Sequence, residues 1–125
     1  MSSLKPDGEL LKIEGVERRV LFTLNAIEEI QEEFDASLEE VINALTDKRE
    51  AAKTLKTVLS ILLNDEAERK KEKELKTYTP KEVGWLINED NMQNAVIAVL
   101  KAYGMSLPEP DEFENPKAKG GRRKK

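Results

Sequence analysis

The chain has 125 residues, 38% of them hydrophobic and 37% charged, with 21 basic against 25 acidic residues and a net charge of −4. It contains no cysteine and no histidine. That excludes disulfides, thiolate or imidazole metal sites, cysteine nucleophiles and Ser-His-Asp catalysis.

This length suits one compact domain with loose ends. With one Trp, two Tyr and three Phe, the core must be largely aliphatic, which suits helices. The charge is unevenly spread. Residues 117–125, "KAKGGRRKK", hold six basic residues and no acid, which leaves 15 basic and 25 acidic residues, a net of −10, on the rest. An acidic body lacks the basic face that neutralises phosphates, so a nucleic-acid partner is not expected. No run approaches the roughly 20 apolar residues of a membrane span, and Met1 to Leu10 lacks a signal peptide's apolar centre. The expectation is a soluble protein of a cell's interior with no membrane partner.

Residues 1–8 read as a flexible start. "ELLKIEGVERRVLFTL" then reads as a β-hairpin, with Leu11 and Ile13 on one side of the first strand, Val20 and Phe22 on one side of the second, and Glu14-Gly15 near the turn. A lone hairpin is marginal and must lean on something else.

A helix follows at once. Thr23 or Asn25 can cap it, and Leu24, Ile27, Ile30 and Phe34 fall three or four apart on one face. Asp35-Ala36 breaks the run. Ser37 with Glu40 makes a capping box for a second helix whose apolar face is Leu38, Val41, Ile42 and Leu45. Asp47 with Glu50 signals a third start.

The third helix is expected over roughly Lys48 to Glu74. Its first half is apolar around most of its circumference, which marks a central helix. Its second half, "NDEAERKKEKELK", has no comparable stripe and reads as projecting into solvent, fraying, or linking. Thr79, Pro80 and Glu82 then supply cap, first-turn proline and capping box for a fourth helix. "NEDN" reads as a turn. A last helix near Met92 to Tyr103 carries a clean apolar stripe, with Gly104 where a stop is expected.

The fold class is therefore α+β, mainly α: an N-terminal β-hairpin, about five helices and a disordered C-terminal tail. Residues 9–104 form a single mainly helical domain, and 105–125 the disordered tail with its basic end.

Chemistry is hard to place on this inventory. Glu28, Glu29, Glu32 and Glu33 fall between the apolar positions of the first helix, as a solvated face does. A di-metal carboxylate site needs inward glutamates, usually with histidine. "NDEAERKKEKEL" has cations where an EF-hand needs ligands and glycine. "KGGRRKK" follows no strand and opens no helix, so it is no phosphate loop; it reads either as a solubilising end or as an electrostatic grip on an acidic partner or nucleic acid. Trp85 beside Val83 and Leu86 reads as core or half-core. Its neighbour Gly84 costs a helix about 1 kcal/mol against alanine and permits close approach of another segment. No catalytic, metal or cofactor site is assigned. Residues 79–104 have the outline of a helix-turn-helix, but the second helix offers only Gln93, Asn94 and Lys101 to bases. A small DNA-binding or packaging accessory protein is the alternative reading.

"VLFTLNAIEEIQEEF", then "EFDASLEE" and "SLEEVINAL", followed by "YTPKEVGWLINEDNMQNAVIAVLKAYG", resembles the tail assembly chaperones of long-tailed bacteriophages and prophages over about residues 9–104. The resemblance implies a non-enzymatic protein of the host bacterial cytoplasm, absent from the mature virion. It implies binding to the tape measure protein, help in assembling tail tube subunits around it, and room for self-association. Ile61, Ile97 and Leu107 exceed what single apolar stripes need. With Trp85, they are the candidate partner-binding residues.

Overall fold

A computed structural model describes residues 8–106. The expectations placed on residues 1–7 and 107–125, Leu107 and the basic end among them, lie outside the described residues. Two strands, β1 (Glu9–Ile13) and β2 (Val16–Val20), pair antiparallel with Leu11 opposite Arg18 and Ile13 opposite Val16. The turn between them places Glu14 at φ 53° and Gly15 at φ 82°. A tight two-residue hairpin turn needs positive φ, which glycine adopts freely and glutamate at some cost.

Five helices follow: α1 (Leu24–Phe34), α2 (Leu38–Ala44), α3 (Ala51–Arg69), α4 (Pro80–Leu86) and α5 (Glu89–Ser106). The α+β, mainly helical class is the observed one. No helix among the described residues is long and apolar enough to cross a membrane.

Local chemistry sets most of the boundaries. Thr23 is the cap of α1, accepting from the Ala26 amide at 3.1 Å. Ser37 with Glu40 and Thr79 with Glu82 both close complete capping boxes. Asp47 does not cap α3; its carboxylate accepts from the Arg49 amide inside the preceding turn, and the helix begins at Ala51 rather than Lys48. "NEDN" opens α5 instead of forming a separate turn. The Asn88 amide donates to the Asn91 side chain at 2.8 Å, and the Asn91 amide to the Asn88 side chain at 3.1 Å. That reciprocal pair does the work of a capping box with an amide in place of glutamate. At the other end α5 runs through Gly104 to Ser106.

α3 is the central element, packed by β2, α1, α2, α4 and α5. Val58, Leu59, Leu62 and Leu63 lose all contact with solvent there. Ile30 of α1, Val41 and Ile42 of α2, Val83 of α4 and Val99 of α5 complete one core with Val20 and Phe22 from the hairpin. The face of α1 is turned from the expected one: Ala26 is fully buried, while Leu24 is 83% exposed.

Candidate partner-binding surface

The hairpin is held by a buried cation. Arg18 sits on the inward face of β2, with Val20, and is 1% exposed. Its Nε donates to Glu66 Oε1 at 2.7 Å, Nη2 to the Leu63 carbonyl at 2.8 Å and Nη1 to the Lys76 carbonyl at 3.0 Å. The second oxygen of Glu66 accepts from the Arg19 amide at 3.0 Å. A buried ion pair is tolerable when its remaining donors and acceptors are satisfied in this way.

This corrects the reading of the charged half of α3 as solvent-projecting or linking. Asp65, Glu66 and Ala67 are buried, because β2 lies across them and brings the arginine with it. The helix does stop early, at Arg69, and a 3₁₀ turn over Lys71–Lys73 leads the chain back. Next to the pair, the Thr23 hydroxyl donates to Asp65 Oδ2 at 2.8 Å, so the residue that caps α1 also fastens it to α3.

Tyr78 anchors the return segment. Its amide donates to Asn64 at 2.7 Å, and its carbonyl accepts from Asn64 at 2.8 Å and from the Ser60 hydroxyl at 2.6 Å. Its phenol donates to Glu14 Oε1 at 2.8 Å, which ties the hairpin turn to the segment before α4. Burial, with the Glu14 carboxylate as the next cause, pushes the phenol up to about 12. The same hydrogen bond, helped by Lys76, holds Glu14 below its ordinary range.

These polar groups are all engaged in holding the fold. Glu28, Glu29, Glu32 and Glu33 are exposed on α1. Glu29 is pushed above its ordinary range by partial burial and then by the negative charges of Glu68 and Asp65 on α3. Among the described residues no group of three or more carboxylates is gathered so as to hold a metal ion.

The distinctive surface lies toward the other end of α3. A groove of about 490 Å³ runs between the first turns of α3 and helix α4. Its lining includes Leu55 and Lys56 from α3, Gly84 and Trp85 from α4, and Ile87 and Met92 beyond it. Trp85 is 75% exposed, so the indole stands at this groove rather than in the core. Gly84 has a packing reason: a Cβ there would lie 2.8 Å from Lys56 Cδ. The glycine lets the lysine side chain lie flat against α4, with its ammonium 4.0 Å from the same Cβ position. A neighbouring depression of about 360 Å³ is lined by Leu45, Lys48, Ala51, Met92 and Val96 among others. Met92 belongs to both, so the two form one apolar surface interrupted by a methionine, a side chain that adapts its shape readily.

The candidate residues therefore separate. Trp85 stands at the groove, and Ile97 is 40% exposed on α5, one residue past Val96 at the depression. Ile61 is corrected: it is 6% exposed and belongs to the core, because α3 is enclosed around most of its girth. Met92, Lys56 and Gly84 were not singled out as partner-binding from sequence. The helix-breaking glycine beside the one tryptophan was the available signal. For the alternative reading, α5 opens on exposed Glu89 and Asp90, a charge that repels phosphate at the end a recognition helix inserts. Comparison with protein-family models, with curated proteins and with solved structures finds no match to this chain.

Proposed function

We propose that this chain is a non-catalytic tail assembly chaperone of a long-tailed bacteriophage or prophage, acting in the host bacterial cytoplasm and absent from the finished virion. It binds apolar helical segments of the tape measure protein, keeps them soluble and assists tail tube assembly around them. The observation that carries this reading is the exposed Trp85 at the end of an apolar groove whose rim is lysine. An amphipathic helix laid in such a groove buries its apolar side on the indole and Met92, and Lys56 and Lys81 meet its acidic flank. Aromatic anchors of this kind carry most of the energy in helix-in-groove binding. The sequence resemblance over residues 9–104 is what points to the tape measure protein as the partner.

Co-expression with the tape measure protein tests it. The expected result is co-purification and a larger soluble fraction of the tape measure protein, both reduced at least several-fold by Trp85→Ala. Unchanged solubility and no co-purification overturn the reading.

A further inference from the structure

The groove and the depression carry opposite chemistry on one continuous face. Ala52 and Ala51, adjacent on α3, line one each, and Met92 lines both. The groove side presents the indole of Trp85, 75% exposed, and its charged lining residues are Lys56 and Lys81. The depression side is hollow. Leu45, Ala51, Met92 and Val96 wall it, and its charged lining residues are two acids, Asp47 and Glu89, against one base, Lys48.

The hydrogen-bonding groups divide in the same way. Ammonium groups and the indole N–H only donate, whereas ionised carboxylates only accept. The donors Lys56, Lys81 and Trp85 stand at the groove, and Asp47, Glu89 and Gln93 offer acceptors at the depression. A face that holds an exposed anchor beside a hollow, with opposite charge around each, is complementary to itself. A two-fold axis between the two satisfies both at once, because in an isologous contact each copy gives what it receives.

The sizes agree. A cavity of about 150 Å³ holds a benzene ring, and the depression, at about 360 Å³, has room for the larger indole. Buried aromatic side chains cover roughly 150–250 Å² each, so two indoles supply about 300–500 Å² of the roughly 1,200 Å² at which specific interfaces begin. Ile87, Met92, Val96 and the 40% exposed Ile97 extend the apolar area around them. An interface at this lower limit makes a weak, reversible pair.

We propose that this face pairs with a second copy of the chain about a two-fold axis near Met92. Each copy seats Trp85 in the other's depression and sets Lys56 and Lys81 against the other's Asp47 and Glu89. If the Trp85 groove is the seat of a tape measure helix, as proposed above, the pair is a resting form that the helix must displace. The pairing itself does not rest on that reading and is measured on the chain alone.

Trp85 is the one tryptophan of the chain, so intrinsic fluorescence reports its surroundings. Raising the full-length protein from low to high micromolar concentration should shift its emission to shorter wavelength and cut acrylamide quenching several-fold. Sedimentation should move from one to two chain masses over the same range. Trp85→Ala, Lys81→Glu and Glu89→Lys each alter an exposed residue. Each should weaken self-association at least several-fold while the circular dichroism of the dilute protein stays unchanged. Mixing the Lys81→Glu chain with the Glu89→Lys chain should restore it, because the altered groove of one then meets the altered depression of the other. A single chain mass at every concentration, pairing indifferent to Trp85→Ala, or a mixture that stays monomeric overturns the proposal. So does a short-wavelength emission that persists on dilution with a monomeric mass, since the indole is then covered within its own chain. None of these results alters the outcome of the co-expression experiment, so the two readings fail separately.

Discussion

Arg18 and Glu66, 48 residues apart, meet at 2.7 Å with side chains 2% and 3% exposed. Each has almost no solvent to fall back on, so each depends on the other. Removing one partner of a buried pair costs about 3–5 kcal/mol, whereas replacing both by apolar groups of similar volume is much less harmful. Arg18→Met and Glu66→Leu should each lower the denaturation midpoint sharply. The double variant should be more stable than either single one. Chemical denaturation of the three variants measures this. A double variant as unstable as the sum of the singles would show that the pair is not the coupled unit.

The Glu14–Tyr78 contact predicts two pH limits. The phenol's folded-state value is raised from 10.0 to about 12. The unfolded chain therefore releases its proton first, and the contribution is complete below pH 10 and lost as pH climbs toward 12. For Glu14 the folded-state value is lowered from 4.5, so its contribution is present above that pH and lost as pH falls below it. Tyr78→Phe should remove the alkaline loss. Ultraviolet titration should show one of the two tyrosines ionising near 12 in the parent chain and not in the variant.

On α1 the sign reverses. Glu29 holds its proton longer in the folded state than the ordinary value of 4.5 allows. Its ionised form therefore weakens the fold at neutral pH. Glu29→Gln should raise the melting temperature at pH 7, by no more than about 0.5 kcal/mol in stability, as for exposed substitutions generally. The gain should shrink with added salt and vanish well below pH 4.5, where both states are protonated.

Gly84→Ala separates stability from binding. The new Cβ meets only the side chain of Lys56, at 2.8 Å from its Cδ, and that side chain can swing aside. The helix-propensity gain, up to about 1 kcal/mol, should dominate and raise the melting temperature. The displaced lysine then crowds the groove, so affinity for a partner helix should fall as stability rises. Calorimetry against the proposed partner, the tape measure protein, beside thermal melts, reads both.

The elements were legible because their signals are local. Ser37 with Glu40, Thr79 with Glu82, and the Glu14-Gly15 turn each act within a few residues, and each stands in the structure where its spacing puts it. The charged half of α3 was not legible. Nothing near Asp65 and Glu66 marks them as buried; the reason is Arg18, half the domain away in sequence. Ile61 failed for the related reason that an apolar residue off the main stripe looks like surface until the helix is known to be enclosed. The groove was half legible, since Gly84 beside Trp85 pointed to a close approach. That the approaching group is Lys56, and that the indole stays outside, depends on how α3 and α4 pack.

The reach of Arg18 also sets an order of events during synthesis. Its three acceptors belong to Leu63, Glu66 and Lys76. When the hairpin leaves the ribosome, none of them has been made. Residues 9–20 must therefore wait, as a separate and marginal two-stranded unit, until some fifty-five more have followed, and only then can they close the domain. An early pause in translation holds open the face of the hairpin that later becomes core, and a truncation before Leu63 leaves Arg18 without any of its three acceptors.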